Sequence, residues 1–207
     1  MKIGPFDFTK PGKCMIVAEL SANHGGKKEI AIETIRAAAR AGADAIKLQT
    51  YTPDTLTLNS NNPCFRIAEG TVWDGRTLYD LYKEAYTPWE WHKELFKKEK
   101  KEGMICFSSP FDRSAVDFLE EMNPPAFKIA SFEITDIPLI SYVASRNKPV
   151  IISTGIASEE DINLALETCR IQGNNNILLL KCTSSYPAPP AEANLKTIAD
   201  IPVKFGV

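Results

Sequence analysis

Ala45-Ile46-Lys47-Leu48-Gln49-Thr50 is a short apolar run that breaks into polar residues at its carboxyl end. The same ending recurs along the 207 residues, at Glu19-Leu20-Ser21, Ser108-Ser109, Lys128-Ile129-Ala130-Ser131, Ser153-Thr154-Gly155 and Lys181-Cys182-Thr183-Ser184. Short apolar runs separated by helical stretches are the sequence form of buried parallel strands. The strand candidates are Met15–Ala18, Ala45–Leu48, Met104–Phe107, Ala126–Ile129, Val150–Ile152, Ile177–Leu180 and, from the apolar run Pro202 to Val207, Val203–Val207. In barrels and open sheets of this kind, chemistry gathers at the carboxyl ends of the strands. The polar tails therefore mark where a site is expected.

Helical patterns fill the intervals. Glu29 to Arg40 carries apolar residues at helical spacing and ends at Ala41-Gly42, a carboxyl-cap signal. Trp89 to Lys101 starts after Thr87-Pro88 and stops at Gly103. Arg113 to Met122 and Ile137 to Arg146 follow, and Ser158-Glu159-Glu160-Asp161 opens a helix reaching Cys169 or Arg170, with Ser158 as N-cap. Alternating strands and helices imply right-handed crossovers and a parallel sheet. The reading is an α/β chain of TIM (β/α)8-type barrel class, one domain over residues 1–207. It is incomplete, since seven strands are counted where closure takes eight. One connection is long: Tyr51 to Pro88 holds Pro53, an asparagine cluster at Asn59–Asn62 and the aromatics Trp73, Tyr79, Tyr82 and Tyr86. Its place directly after a polar strand end favours a role in covering or completing the site.

Composition excludes several classes. Hydrophobic content of 44% and charged content of 24% are those of an ordinary globular protein. A formal charge of −2 leaves no footprint for nucleic acid or an anionic membrane. The run Lys97-Lys98-Glu99-Lys100-Lys101-Glu102 interleaves acids with bases, as a solvated helix face does. Five cysteines (Cys14, Cys64, Cys106, Cys169 and Cys182) are scattered without metal-type pairing. Neither signal peptide nor membrane span is visible, so a cytoplasmic protein is expected.

Lys47, Lys128 and Lys181 sit in or beside apolar strands, where an unpartnered lysine is rarely buried. Together with Ser108, Ser109, Ser131, Ser153, Thr154 and Ser184 they suggest a phosphate or carboxylate ligand. Salt bridges to nearby acids, or a Schiff-base lysine, are the other readings of the same residues. Glu19 and Glu133 follow strands one and four and suit a general base, a metal partner or a lysine counter-charge. His92 reads as an ordinary helix residue. His24, in Asn23-His24-Gly25-Gly26, is either functional or a loop stabiliser, and Gly25-Gly26 could offer N–H groups to an anion.

Six strings follow one another in order through nearly the whole chain: Ile16-Val17-Ala18-Glu19 with Asn23-His24-Gly25, Gly42-Ala43-Asp44-Ala45-Ile46-Lys47-Leu48-Gln49-Thr50, Ser108-Ser109-Pro110-Phe111, Phe127-Lys128-Ile129-Ala130-Ser131-Phe132-Glu133, Ile152-Ser153-Thr154-Gly155, and Cys182-Thr183-Ser184-Ser185-Tyr186-Pro187. In that order they resemble the sialic acid synthase family, enzymes that condense phosphoenolpyruvate with an N-acetylated amino sugar. Tyr51-Thr52-Pro53-Asp54-Thr55-Leu56-Thr57 and Thr87-Pro88-Trp89-Glu90-Trp91-His92 look like its pseudaminic acid branch.

The resemblance implies a carbon–carbon-bond-forming transferase. C3 of phosphoenolpyruvate joins the aldehyde of the open-chain sugar, 2,4-diacetamido-2,4,6-trideoxy-altrose; water then attacks C2 and phosphate leaves. Neuraminate or legionaminate synthesis is the alternative within the family; a Schiff-base aldolase or a non-catalytic phosphoenolpyruvate-binding fragment are alternatives outside it. By position, the resemblance gives Lys47, Ser109, Lys128, Ser131, Ser153 and Ser184 to phosphoenolpyruvate, Gln49 and Tyr186 to the sugar, and catalytic places to Glu19 and Glu133. Ser184 stands where the sialic acid branch has asparagine. A divalent metal, manganese, is implied as Lewis acid, with its histidine ligands expected just after Val207 and none in this chain. A carboxyl-terminal antifreeze-like domain is expected to be absent here, a homodimer is expected of the full-length enzyme, and this chain alone is expected to be inactive.

Overall fold

In the computed structural model, residues 1–10, 12–67, 73–185 and 187–207 are described, and they form two compact units. One is Cys14–Asn123; the other joins Met1–Lys13 to Pro124–Val207. The two-segment unit opens with a short antiparallel hairpin, β1 (Lys2–Ile3) and β2 (Phe6–Asp7). The 14–123 unit runs β3 (Val17–Glu19), α1 (Lys28–Arg40), β4 (Ala45–Thr50), α2 (Pro53–Leu56), α3 (Leu78–Ala85), α4 (Trp89–Lys101), β5 (Ile105–Pro110) and α5 (Arg113–Glu120). The chain then returns with β6 (Phe127–Ile129), α6 (Ile137–Ala144), β7 (Val150–Ser153), α7 (Glu159–Ile171), β8 (Ile177–Leu180) and α8 (Thr197–Phe205).

Apart from that hairpin, the strands named here pair in parallel within each unit. β3 lies beside β4, with Glu19 opposite Lys47; β4 lies beside β5, from Ala45 opposite Ile105 to Thr50 opposite Pro110. β6 pairs with β7 and β7 with β8, ending at Ser153 opposite Leu180. The apolar core of the 14–123 unit joins Ile35 of α1, Leu95 of α4, Ile46 and Leu48 of β4 and Cys106 of β5, all buried. In the two-segment unit Phe127, Ile129, Ile152, Ile140, Val143 and Leu166 are fully buried.

Local chemistry sets the helix ends. Ser158 and Asp161 form a reciprocal capping box at the start of α7, and those hydrogen bonds hold the Asp161 carboxyl below its ordinary range. Asp112 caps α5 and Asp136 caps α6 through backbone N–H groups two to three residues on. The Tyr51–Pro88 stretch contains α2 and α3 and is fastened by side chains. Tyr51 meets Tyr82 and Phe111 edge-on, the Trp89 indole donates to the Tyr51 carbonyl at 3.1 Å, and the Tyr79 hydroxyl donates to Asp54 at 3.0 Å.

The expected seventh strand, Val203–Val207, is not one: Val203, Lys204 and Phe205 close α8. Each unit therefore contributes three parallel strands. In α8 the apolar residues Ile198, Ile201 and Phe205 recur at helical spacing, and Gly206, at φ +68°, ends the helix in the left-handed conformation. An apolar run as short as Pro202–Val207 lacks the length to reveal its period, which is why it reads as a strand from sequence.

Glu99 is a costly residue of the 14–123 core. It is fully buried on α4, and beyond the neighbouring Cys106 thiol neither carboxyl oxygen has a polar partner. Burial pushes its pKa from 4.5 up to about 8 and raises Cys106 as well. Between those two values the native state keeps a proton that the unfolded chain releases, so this group makes stability fall as pH rises. Glu99→Gln abolishes that slope: relative to wild type it gains stability from pH 5 to pH 8, by about 3 kcal/mol at neutral pH. Denaturant midpoints of the two proteins across that range check it, and parallel pH profiles would refute it.

Candidate functional site

The strand ends of the 14–123 unit separate two kinds of polar residue. Side chains alternate between the faces of a strand. Leu48 of β4 and Cys106 of β5 belong to the core against α1 and α4, so Thr50 and Ser108 point the same way. Lys47, Gln49 and Ser109 take the opposite face, with Gln49 directly across from Ser109. There the Lys47 ammonium lies 3.3 Å from the Glu19 carboxylate, and the lysine side chain is 9% exposed against 54% for the glutamate. Glu19 is thus the counter-charge of a nearly buried cation. Ser109 is fully buried, and its hydroxyl has no partner. A buried hydroxyl left unpaired costs about 1–3 kcal/mol, so Ser109 is a vacancy for an acceptor or donor on that face.

On the helix-facing side, Ser108, Thr50 and His92 are all fully buried and hydrogen-bonded in series. Ser108 is therefore committed to Thr50 and is withdrawn from the set of hydroxyls suggested for an anion. His92 is no ordinary helix residue, because both ring nitrogens are engaged. His24 is also fully buried. The Gly26 N–H donates to its Nδ1 at 3.1 Å, which leaves Nε2–H to donate to the Thr87 hydroxyl at 3.1 Å. Burial lowers its pKa, and its ring packs edge-on against Trp91. This histidine stabilises the loop after β3 by tying it to the start of α4. Gly26 spends its N–H on that histidine, so the Gly25-Gly26 pair is not aimed at an anion.

In the two-segment unit the strand ends converge on Lys128, 5% exposed. Its ammonium donates to the Ser153 hydroxyl and to the Ile129 carbonyl, each at 2.5 Å. The Cys182 thiol donates to the same Ser153 oxygen at 3.2 Å. Ser131 accepts the Gly155 N–H at 3.3 Å. Gly155 is the tightest point: a Cβ there would lie 2.2 Å from the Ser184 hydroxyl oxygen and 3.1 Å from those of Ser131 and the Cβ of Cys182. A Cβ here would force the exposed Ser184 hydroxyl to turn away and Ser131 and Cys182 to give by a few tenths of an ångström, so glycine suits the close approach.

Glu133 stands on the short turn after β6. Its Oε2 is buried without a partner, and burial raises its pKa against the opposing pull of its own N–H and of Lys128. Lys181 donates to the Cys182 carbonyl and the Thr183 hydroxyl, and Thr154 to the Leu180 carbonyl. Ser184 is exposed, and Tyr186 lies outside the described residues. Gly155, Cys182 and the Thr50–His92 pair were not singled out as site residues from sequence. Only the Ser-Thr-Gly spacing hinted at the first, and nothing local signals contacts made across 29 or 42 positions.

Chemically, Lys128 with Ser153, Ser131 and the Gly155 corner is a compact cluster of one cation and several small donors, suited to an anionic oxygen. A divalent metal fits these residues poorly. Among the described residues no three His, Cys, Asp or Glu side chains gather as ligands, and both histidines are held in internal hydrogen bonds. No helix is long and apolar enough to cross a membrane among those residues.

Comparison with known proteins gives a consistent likeness. The NeuB family profile matches residues 34–207. The chain is 49% identical over 207 residues to a pseudaminic acid synthase of Campylobacter jejuni, covering 100% of this chain and 60% of that protein. It is 48% identical over 192 residues to a pseudaminic acid synthase of Helicobacter pylori, covering 93% of this chain and 56% of that protein. A solved N-acetylneuraminic acid synthetase from Leptospira borgpetersenii, in complex with citrate, superimposes with a TM-score of 0.81 at 30% identity over 94% of this chain and 62% of that one. The fold class is accordingly the TIM-barrel type expected from the strand pattern.

Two substitutions test the Lys128 cluster. Inorganic phosphate is expected to raise the melting temperature of the wild-type chain by binding the native state. Lys128→Met abolishes that rise without a large loss of basal stability, since removing a buried charge relieves its desolvation. Gly155→Ala lowers basal stability by about 1–3 kcal/mol through overpacking and abolishes the phosphate effect. Thermal melts with and without phosphate decide both, and a phosphate response surviving in Lys128→Met would remove the cluster as an anion site.

Proposed function

The chain belongs to the NeuB family, and from that premise we propose that it serves the condensation of phosphoenolpyruvate with an N-acetylated amino sugar to give a nonulosonic acid and phosphate. The chain spans about 60% of the length of the curated relatives it matches, and the activity is proposed for the protein on that footing. The observation that carries the reading is the nearly buried Lys128 ammonium sharing the Ser153 hydroxyl with Cys182, beside the glycine corner of Ser131 and Ser184. A cation sequestered among small hydroxyls holds the charge of a phosphate or carboxylate already present in the substrate and needs no reorganisation as the reaction proceeds.

In this reading Lys128, Ser131, Ser153 and Ser184 bind phosphoenolpyruvate, as do Lys47 and Ser109. Gln49 and Tyr186 contact the sugar. Glu133, with its carboxyl pKa raised, holds or passes a proton where water meets C2. Glu19 is the counter-charge beside Lys47. The ammonium groups of Lys128 and Lys181 donate hydrogen bonds and that of Lys47 lies against a carboxylate, which suits charge stabilisation better than the unprotonated nucleophile of a Schiff-base aldolase. The sugar assigned is 2,4-diacetamido-2,4,6-trideoxy-altrose, and the product pseudaminic acid, supported by the relatives that are 49% and 48% identical. Manganese, a homodimer and a cytoplasmic setting complete the proposal on the family resemblance; no step above is routed through a metal.

Calorimetric titration of the chain with phosphoenolpyruvate tests the anion half directly: binding is expected, with Lys128→Met weakening it about ten- to a hundredfold, in line with loss of a charge-assisted contact. For the reaction, protein of full family length releases phosphate only when both phosphoenolpyruvate and the diacetamido sugar are present. Trapping of a covalent adduct by borohydride would instead favour the aldolase.

A further inference from the structure

The relay on the helix-facing side of the 14–123 unit has a fixed proton order. The Pro88 carbonyl can only accept, so the 3.3 Å contact makes His92 Nδ1 the protonated nitrogen. Nε2 then accepts, and the Thr50 hydroxyl donates to it at 2.9 Å. With that proton committed, the 2.7 Å contact between Thr50 and Ser108 runs from the serine hydroxyl to the threonine oxygen. Burial drives the His92 pKa down to about 4 even though the carbonyls of Pro88, Trp89 and Gln49 favour the charged ring. The acceptor at Nε2 is therefore present at neutral pH. Phe118 of α5 closes over the ring edge-on, and Trp89 stacks on Phe118.

Thr50 and Ser108 occupy the last turns of pleat in β4 and β5. Each is the chain neighbour of a residue on the opposite face: Thr50 follows Gln49, and Ser108 precedes Ser109. Pinning one face of a strand pins the other, because successive side chains leave the same backbone in opposite directions. We propose that His92 is a positioning residue: by accepting the Thr50 proton it clamps the carboxyl ends of β4 and β5 and so holds Gln49 and Ser109 at the orientation in which they meet substrate. The substrate part rests on the function proposed above; the clamp itself does not.

Thr50→Val is the central variant, since it keeps shape and volume while deleting the hydroxyl, and His92→Leu deletes the acceptor. His92→Gln supplies an amide oxygen in place of Nε2. Hydrogen exchange of the Gln49, Thr50 and Ser109 amides is expected to speed up about tenfold in Thr50→Val and His92→Leu and to return most of the way in His92→Gln, the size set by one lost buried hydrogen bond. Phosphoenolpyruvate affinity falls about tenfold in the first two and recovers in the third. A purely structural loss would not be rescued in both readouts by glutamine. Unchanged exchange in Thr50→Val overturns the clamp, whether or not His92→Leu folds. Faster exchange with unchanged affinity overturns the positioning role. If the wild-type chain does not bind phosphoenolpyruvate, the proposed function fails, and the exchange measurements alone decide the clamp.

Discussion

A parallel strand buried on both faces offers its polar side chains no water, so each must find its partner within the fold. That constraint organises this protein. Lys47 meets Glu19 across neighbouring strands, Lys128 turns to Ser153 and a backbone carbonyl, and Ser108 donates to Thr50 and Thr50 in turn to His92. The exceptions are informative for the same reason. Ser109 and Glu133 carry buried oxygens without partners on the strand-end surfaces where a ligand would supply them.

The arrangement is costly to the fold. A buried ammonium gains little net stability from its partners, and replacing such a group with an apolar one of similar size is often neutral or favourable. Residues kept in that state have a use other than holding the chain together, and at strand ends the use is to present charge in a dry, rigid place. Gly155 shows the same economy in steric form. The backbone comes so near Ser131, Cys182 and Ser184 that a Cβ would displace the Ser184 hydroxyl and crowd the other two.

Glu99 is a different case. It lies in the apolar core between α4 and β5, away from the strand-end residues, and beyond the Cys106 thiol neither oxygen has a polar partner. At neutral pH it remains protonated, and its cost appears as the pH rises. Glu99 and His92 sit on the same helix and shift in opposite directions for one reason, since burial disfavours whichever form is charged.

Much of this was legible in the chain itself. Composition and the period of the apolar runs gave six strands, the helices α1, α4, α5, α6 and α7 and the caps at Ser158 and Gly42, because these depend on residues close in sequence; α2 and α3, inside the long connection, were not read. The apolar run at Pro202–Val207 was misread for want of length. The strand-end lysines and serines could be picked out because a polar residue in a buried strand is anomalous wherever it occurs. Their partners could not. That Ser108 belongs to Thr50 and His92, that His24 secures a loop, that Cys182 shares Ser153 with Lys128, and that Gly155 is crowded by three side chains all depend on register and on which face a strand turns to its helix. Sequence determined which residues would need partners; only the tertiary structure decided who the partners are, because a strand shifted by one residue would exchange its two faces.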